Sequence, residues 1–191
     1  MYILMKKIKN IYLVLLSKLM YLIIIIRFKK RISISKLTSI GKYFALQFDI
    51  SDSYVKIGNQ VQFRNNCRII SGLNGKLFIS DRVFFNNGCS INCFGKITIG
   101  NNCQFGEDVK LYDHNHKYSD NSKLINEQGY NVGEIKIGNN CWIGSNVIIL
   151  KNVEIGDNVV IGAGCIIHKS VKSNSVVHIA QELKVKNRKG D

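Results

Sequence analysis

Apolar residues return at every sixth position along most of the chain. From Ile137 the series Ile137, Ile143, Ile149, Ile155, Ile161, Ile167 runs unbroken. Upstream the same period gives Ile57, Phe63, Ile69, then Ile79, Phe85, Ile91, then Ile99, Phe105, Leu111. Shifts of register near residues 70–78 and 92–98 read as small loops between rungs. A six-residue period suits neither a helix, with about 3.6 residues per turn, nor a long strand, with a period of about 2. It suits a short strand plus a tight turn, repeated around a prism. Three such units close one coil, and coils stacked about 4.8 Å apart form three parallel sheets. A second inward position lies four residues after each aliphatic one, at Val61, Cys67, Val83, Cys89, Cys103, Val109, Cys141, Val147, Val153, Val159, Cys165 and Val171. Five of the six cysteines thus stand where valine stands elsewhere and read as small core residues; Cys93 falls outside the pattern. Glycine often follows the aliphatic residue, as at Gly58, Gly100, Gly138 and Gly156, with Asn close by. Both residue types tolerate the left-handed backbone such corners need.

The amino-terminal pattern is different. Residues 11–26 are apolar except for Ser17 and Lys18, with Lys6, Lys7 and Lys9 before them and Arg27, Lys29, Lys30 and Arg31 after. A bilayer span needs roughly 20 apolar residues, and a central lysine is costly there, so a transmembrane helix is disfavoured. No small-residue cleavage site of a signal peptide follows. Two readings stay open: a helix packed on the rest of the protein or on a partner subunit, and an interfacial helix holding anionic lipid through its basic flanks. The expected layout is therefore a basic apolar, helical segment at residues 1–42, a β-helix at 43–175 and a basic tail at 176–191.

Charge changes this picture little. The formal net charge is +14, but residues 1–42 hold ten Lys or Arg and no acid, residues 43–167 hold eleven of each sign, and residues 168–191 hold six basic against two acidic. The body is neutral, which argues against a broad nucleic-acid face. Proline is absent, so the corners rely on Gly, which numbers 16, and Asn. No CxxC spacing suggests zinc. Buried, reduced thiols fit a cytoplasmic protein, with the basic amino terminus able to meet the inner face of a bacterial membrane.

The repeat stops once, between Leu111 and Ile137, in a polar excursion over residues 112–136 that contains His114 and His116. Long excursions from an economical scaffold tend to carry function. The segments LYDHNH, IKIGNNCWIGSNVIIL and VVIGAGCIIHKS resemble the hexapeptide-repeat acyltransferases, in particular the sugar O-acetyltransferases related to the maltose and galactoside enzymes and those of capsule and O-antigen synthesis. The resemblance covers roughly residues 55–175. It implies an all-β, left-handed parallel β-helix, a homotrimer with sites between neighbouring β-helices, acetyl-CoA as cosubstrate, no metal, and a carbohydrate acceptor in surface polysaccharide synthesis. It also implies that His114 is the general base. An imidazole can take the proton of a sugar hydroxyl as the hydroxyl attacks the thioester, and then return it to the leaving thiolate.

The remaining assignments follow from the same resemblance. Asn86, with Asn87 beside it, falls in the acceptor-binding segment VFFNNGCSINCF, although Asn is also a normal turn residue. His116 faces the same way as His114 on an extended segment and is a second acceptor-side candidate. Trp142 stands in the WIG position bordering the cleft, or is simply packed outward. Gly144, Ser145, Gly162 and Ala163 map to the coenzyme groove, where small residues let a pantetheine arm approach, and the same glycines suit turns. Lys169, Lys184 and Lys186 are candidates for phosphate pairing; the proline-containing turn usual before that stretch is missing. Asp113 is expected to point away from His114 along a strand, and to approach it only where the chain turns. An N-acetyltransferase acting on an amino sugar or its nucleotide is the enzymatic alternative. A γ-type carbonic-anhydrase-like hydrase would need three converging histidines, of which His168 and His178 would have to supply one. A non-catalytic scaffold is the third class.

Overall fold

A computed structural model describes residues 2–49 and 52–180. One helix, α1 (Tyr2–Phe28), precedes a parallel β-helix whose strands form three sheets of six, seven and six members. Six full coils are stacked: strands at 32–48, 54–71, 76–93, 96–112, 134–150 and 153–167. A partial seventh is made by the Val171 bridge and Val176–Val177. Pairing is in register, so that each inward position forms a column. Ile34, Ile57, Ile79, Ile99, Ile137 and Ile155 run up the first sheet; Ile40, Phe63, Phe85, Phe105, Ile143, Ile161 and Val177 run up the second. Neighbouring phenylalanine rings in the second column stack at 4.8 and 4.6 Å.

The β-helix starts earlier than residue 43. Residues 32–48 form the first coil, pairing with the second through Ile34 and Ile57, Ile40 and Phe63, and Leu46 and Ile69. The six-residue period already runs through Ile34, Ile40 and Leu46, and the second inward positions are taken by Thr38 and Phe44, both buried. At the other end Val176–Val177 still pairs with the sixth coil, so this strand belongs to the solenoid and not to the tail. Cys93, outside the six-residue count, is nonetheless fully buried, at an inward position in register with Ser71. All six cysteines are buried and free.

The helix covers the open end of the first coil. Ile24 is buried in the common core, and Met20, Tyr21, Ile25 and Phe28 pack against it, with Phe28 tilted on Phe48 at 4.8 Å. Amides of neighbouring residues along a parallel strand point to opposite sides. Ser39 and Gly41 donate upward to Val61 and Phe63, while the Ile40 amide faces the open end and donates to Ser17 Oγ at 2.8 Å. An edge that would otherwise invite another strand is thereby satisfied.

Left-handed φ recurs three residues after the inward apolar residue, most often on Asn, as at Asn66, Asn102, Asn140, Asn146, Asn152, Asn158 and Asn174, and elsewhere on Tyr43, Gln60, Arg82, Asp108, Gly88 and Gly164. The glycine directly after the aliphatic residue has an ordinary φ and is there for space: a Cβ on Gly144 would lie 2.6 Å from the amide nitrogen of Ala163 in the next coil. Asn side chains also bridge coils, Asn140 to Asn158 at 2.9 Å and Asn158 to Asn174 at 3.0 Å.

Candidate functional site

The repeat is interrupted at the corner after the fourth coil. The excursion leaves at Asp113 and returns at Gly133, whose amide donates to the Asp113 carbonyl at 2.7 Å and closes the neck. Between them His114–His116 and Tyr130–Val132 form an antiparallel pair, with His114 opposite Val132 and His116 opposite Tyr130. The tip is tied by Gln128, which accepts from the Asp120 amide and donates to its carbonyl.

Asp113 does reach His114, contrary to the strand alternation expected from sequence. The residue continues the inward column Phe48, Ser71, Cys93 and is fully buried. There the chain turns from the third sheet into the excursion, so the two side chains no longer diverge. Asp113 Oδ1 lies 3.1 Å from His114 Nδ1. The same carboxylate accepts the amides of Phe94, at 2.8 Å, and Gly95, at 2.9 Å. A buried charge needs such partners, and three charge-assisted contacts hold it rigidly. Its charge, together with burial as the larger cause, pushes the neighbouring Cys93 thiol up, so that this cysteine stays protonated and is no nucleophile.

His114 is held on its faces as well. Phe94 stacks on the imidazole with ring centres 3.7 Å apart, and Tyr130 meets it edge-on at 5.3 Å. The side chain is 13% exposed. With Nδ1 turned to a carboxylate, Nδ1 carries the proton and Nε2 presents a lone pair. That is the form a general base requires. His116 is exposed and lies against the other side of Tyr130 at 4.6 Å, so one tyrosine touches both histidines. A hollow beside it is lined by His116, Lys117, Tyr118, Asn131 and Lys151. Phe94 and Tyr130 carry no signal at the sequence level, since each is a lone aromatic on a different segment; the pairing that assembles them is long-range.

The other candidates lie elsewhere on the prism. Asn86 ends the second sheet at the next corner, where its Oδ1 accepts the Asn87 amide at 2.9 Å and faces the Arg64 guanidinium at 3.4 Å. It shares no partner with His114. Asn87 belongs to the ladder between coils, accepting from the Asn65 amide and donating to Glu107. Trp142 is exposed on the second sheet between Gln104 and Val160. Gly144, Ser145, Gly162 and Ala163 stack at the corner that follows it, and Ser145 Oγ accepts the Glu107 amide at 3.1 Å. Lys169 is exposed at the His114 corner two coils on, beside His168, whereas His178 is exposed at the Gly162 corner. Among the described residues, no three His, Cys, Asp or Glu side chains converge on a metal-sized site. Lys184 and Lys186 lie outside the described residues.

Comparison with known proteins places this architecture. A family model described as bacterial transferase hexapeptide (six repeats) matches residues 134–169. None of the curated proteins matches the chain. Among solved structures, a point mutant of AntD, an N-acyltransferase from Bacillus cereus in complex with dTDP-4-amino-4,6-dideoxyglucose and coenzyme A, is 21% identical over 84% of this chain and 82% of its own, with a TM-score of 0.59. A hexapeptide-repeat-containing acetyltransferase of Vibrio cholerae, complexed with acetyl coenzyme A, is 19% identical over 81% and 72%, with a TM-score of 0.51. A maltose O-acetyltransferase of Clostridium difficile is 30% identical over 75% and 66%, with a TM-score of 0.41. The fifth and sixth coils thus match the bacterial transferase hexapeptide family, and the same six-residue period and three in-register parallel sheets continue through the other coils.

Proposed function

We propose that the protein is an acyl-CoA-dependent acyltransferase that moves an acetyl group from acetyl-CoA to a sugar hydroxyl, with His114 as general base. The observation that carries this reading is the Asp113–His114 pair: a fully buried carboxylate aligns an imidazole at the mouth of the only long excursion among the described residues. His114 Nε2 takes the proton of the acceptor hydroxyl while the hydroxyl oxygen attacks the thioester carbonyl. When the tetrahedral intermediate collapses, the carbon–sulfur bond breaks and the imidazolium returns the proton to the CoA thiolate. Asp113 favours the imidazolium that forms between these steps.

The donor groove falls at the stacked small residues Gly144, Ser145, Gly162 and Ala163, where an extended pantetheine can approach backbone groups closely. That corner is not the His114 corner of the same prism. Donor and base therefore meet where one copy faces another, which is the reason for expecting a homotrimer. Trp142 and Asn86, next to the donor corner, would then border the cleft from the neighbour's side.

A second reading concerns the acceptor. Lys117 and Lys151 line the hollow beside His116 without an ion pair among the described residues. Two cations without an acid favour an acceptor that carries phosphate, such as a nucleotide-linked sugar or amino sugar. Acetyl-CoA turnover against sugars, nucleotide sugars and their amino counterparts tests both readings. For the reactive acceptor, His114→Ala should lower kcat by about 10²–10⁴-fold while leaving the melting transition and CoA binding near wild type. Near-normal turnover in that variant would remove His114 from the mechanism, and failure to bind CoA would remove acyl transfer altogether.

A further inference from the structure

We infer that the outer face of α1 is a docking surface for an anionic lipid bilayer. One face of the helix is spent on the solenoid, through Ser17, Met20, Ile24 and Phe28. The opposite face is also apolar: Ile11, Leu15, Leu19, Leu22 and Ile26 follow one another at spacings of four, four, three and four, which places them along one line of a helix. All five lie between 52% and 78% exposed. A continuous apolar stripe of this length on a protein surface marks an interaction site. No helix among the described residues is long and apolar enough to cross a membrane, so the stripe would lie along a surface.

Charge decides the occupant. The ten basic residues of positions 1–42 have no acidic counterpart in that segment, and Lys18, Arg27, Lys29, Lys30 and Lys36 are exposed. Lys18 sits on the stripe side, where its four-carbon stem can lie along apolar surface with the ammonium at headgroup level. A second copy of this helix would bring the same unbalanced positive charge against itself. An anionic leaflet complements it, with the apolar stripe entering the headgroup boundary and the basic residues meeting lipid phosphates. The helix covers the open end of the first coil, so docking leaves the excursion, three coils further up the prism, facing water.

Flotation of the full chain with vesicles tests this independently of catalysis. Binding to phosphatidylcholine vesicles containing a quarter phosphatidylglycerol should be at least about tenfold tighter than to phosphatidylcholine alone, and should weaken as salt rises. Leu15→Glu with Leu22→Glu should abolish it, and Lys29→Gln with Lys30→Gln should weaken it several-fold. Both variants should keep the wild-type melting transition, because these side chains do not pack on the coils. Equal affinity for neutral and anionic vesicles, or no binding to either, would overturn the inference. So would sedimentation showing, without lipid, that Leu15→Glu with Leu22→Glu dissociates an oligomer, since the stripe would then be covered by another copy.

Discussion

The coils and the excursion are built on opposite terms. In the coils nearly every inward position is apolar and fully buried, each strand bonds to the strand above and below, and Asn ladders tie the corners. In residues 114–132 no residue is fully buried, and order comes from one short antiparallel pair, a neck and a few side-chain bonds. The coils hold the stability and the excursion holds the exposed polar chemistry. Asp113 alone belongs to both, filling an inward column position while its carboxylate grips His114. The lesson is that a rigid repeat positions a base most firmly at the place where the repeat is broken.

The strongest way to break this comparison is to remove the excursion. His114 and Val132 are directly opposed, so a two-residue Asn-Gly turn can join them in place of residues 115–131. The coils should survive with stability altered by less than about 1 kcal/mol, because shortening a flexible loop changes closure entropy only weakly. Acyl transfer should fall below detection although His114 remains, since Tyr130 and the hollow beside His116 are gone. Full activity in this variant would reduce the excursion to a connector.

A smaller effect separates the two regions by stability. Phe85 is fully buried between Phe63 and Phe105, and Phe85→Ala should cost about 3–5 kcal/mol in urea denaturation. Tyr130→Ala removes an aromatic of similar size from the excursion and should cost under about 1 kcal/mol, while lowering turnover by loosening His114. If the two variants unfolded at the same urea concentration, the division of labour would be wrong.

The coils were legible in the sequence because burial itself is periodic there: one residue in six is a large apolar one, and a second, four residues on, is small in most coils. The first coil keeps the six-residue period through Ile34, Ile40 and Leu46 but has Phe44 in place of a small residue, and the apolar, basic stretch next to it hides the start. His114 was legible as a residue, from its place beside the interruption and from resemblance. Its setting was not. Strand alternation predicted that Asp113 and His114 diverge, and alternation ends where the chain turns out of the third sheet. Phe94, on the coil below, and Tyr130, on the returning strand, reach the imidazole through pairings that no local pattern encodes.

The corners offer the finest test, because two positions within each ask for different things: one for left-handed φ, the other for space. Asn140 has φ 53° and donates to Asn158 at 2.9 Å, whereas Gly138, two residues earlier, has no room for a Cβ, its nearest contacts being Asp157 Oδ1 and the Gly156 carbonyl carbon. Asn140→Ala should cost about 1–2 kcal/mol, combining the left-handed penalty with the lost bond. Asn140→Gly keeps the backbone free of strain and should recover about half of that loss. Gly138→Asn places a side chain against the next coil and should cost more than either, at about 1–3 kcal/mol. Thermal denaturation of the three variants gives the order. A Gly138→Asn protein as stable as Asn140→Gly would mean that conformational freedom, and not the close stacking of coils, is what the corner glycine supplies.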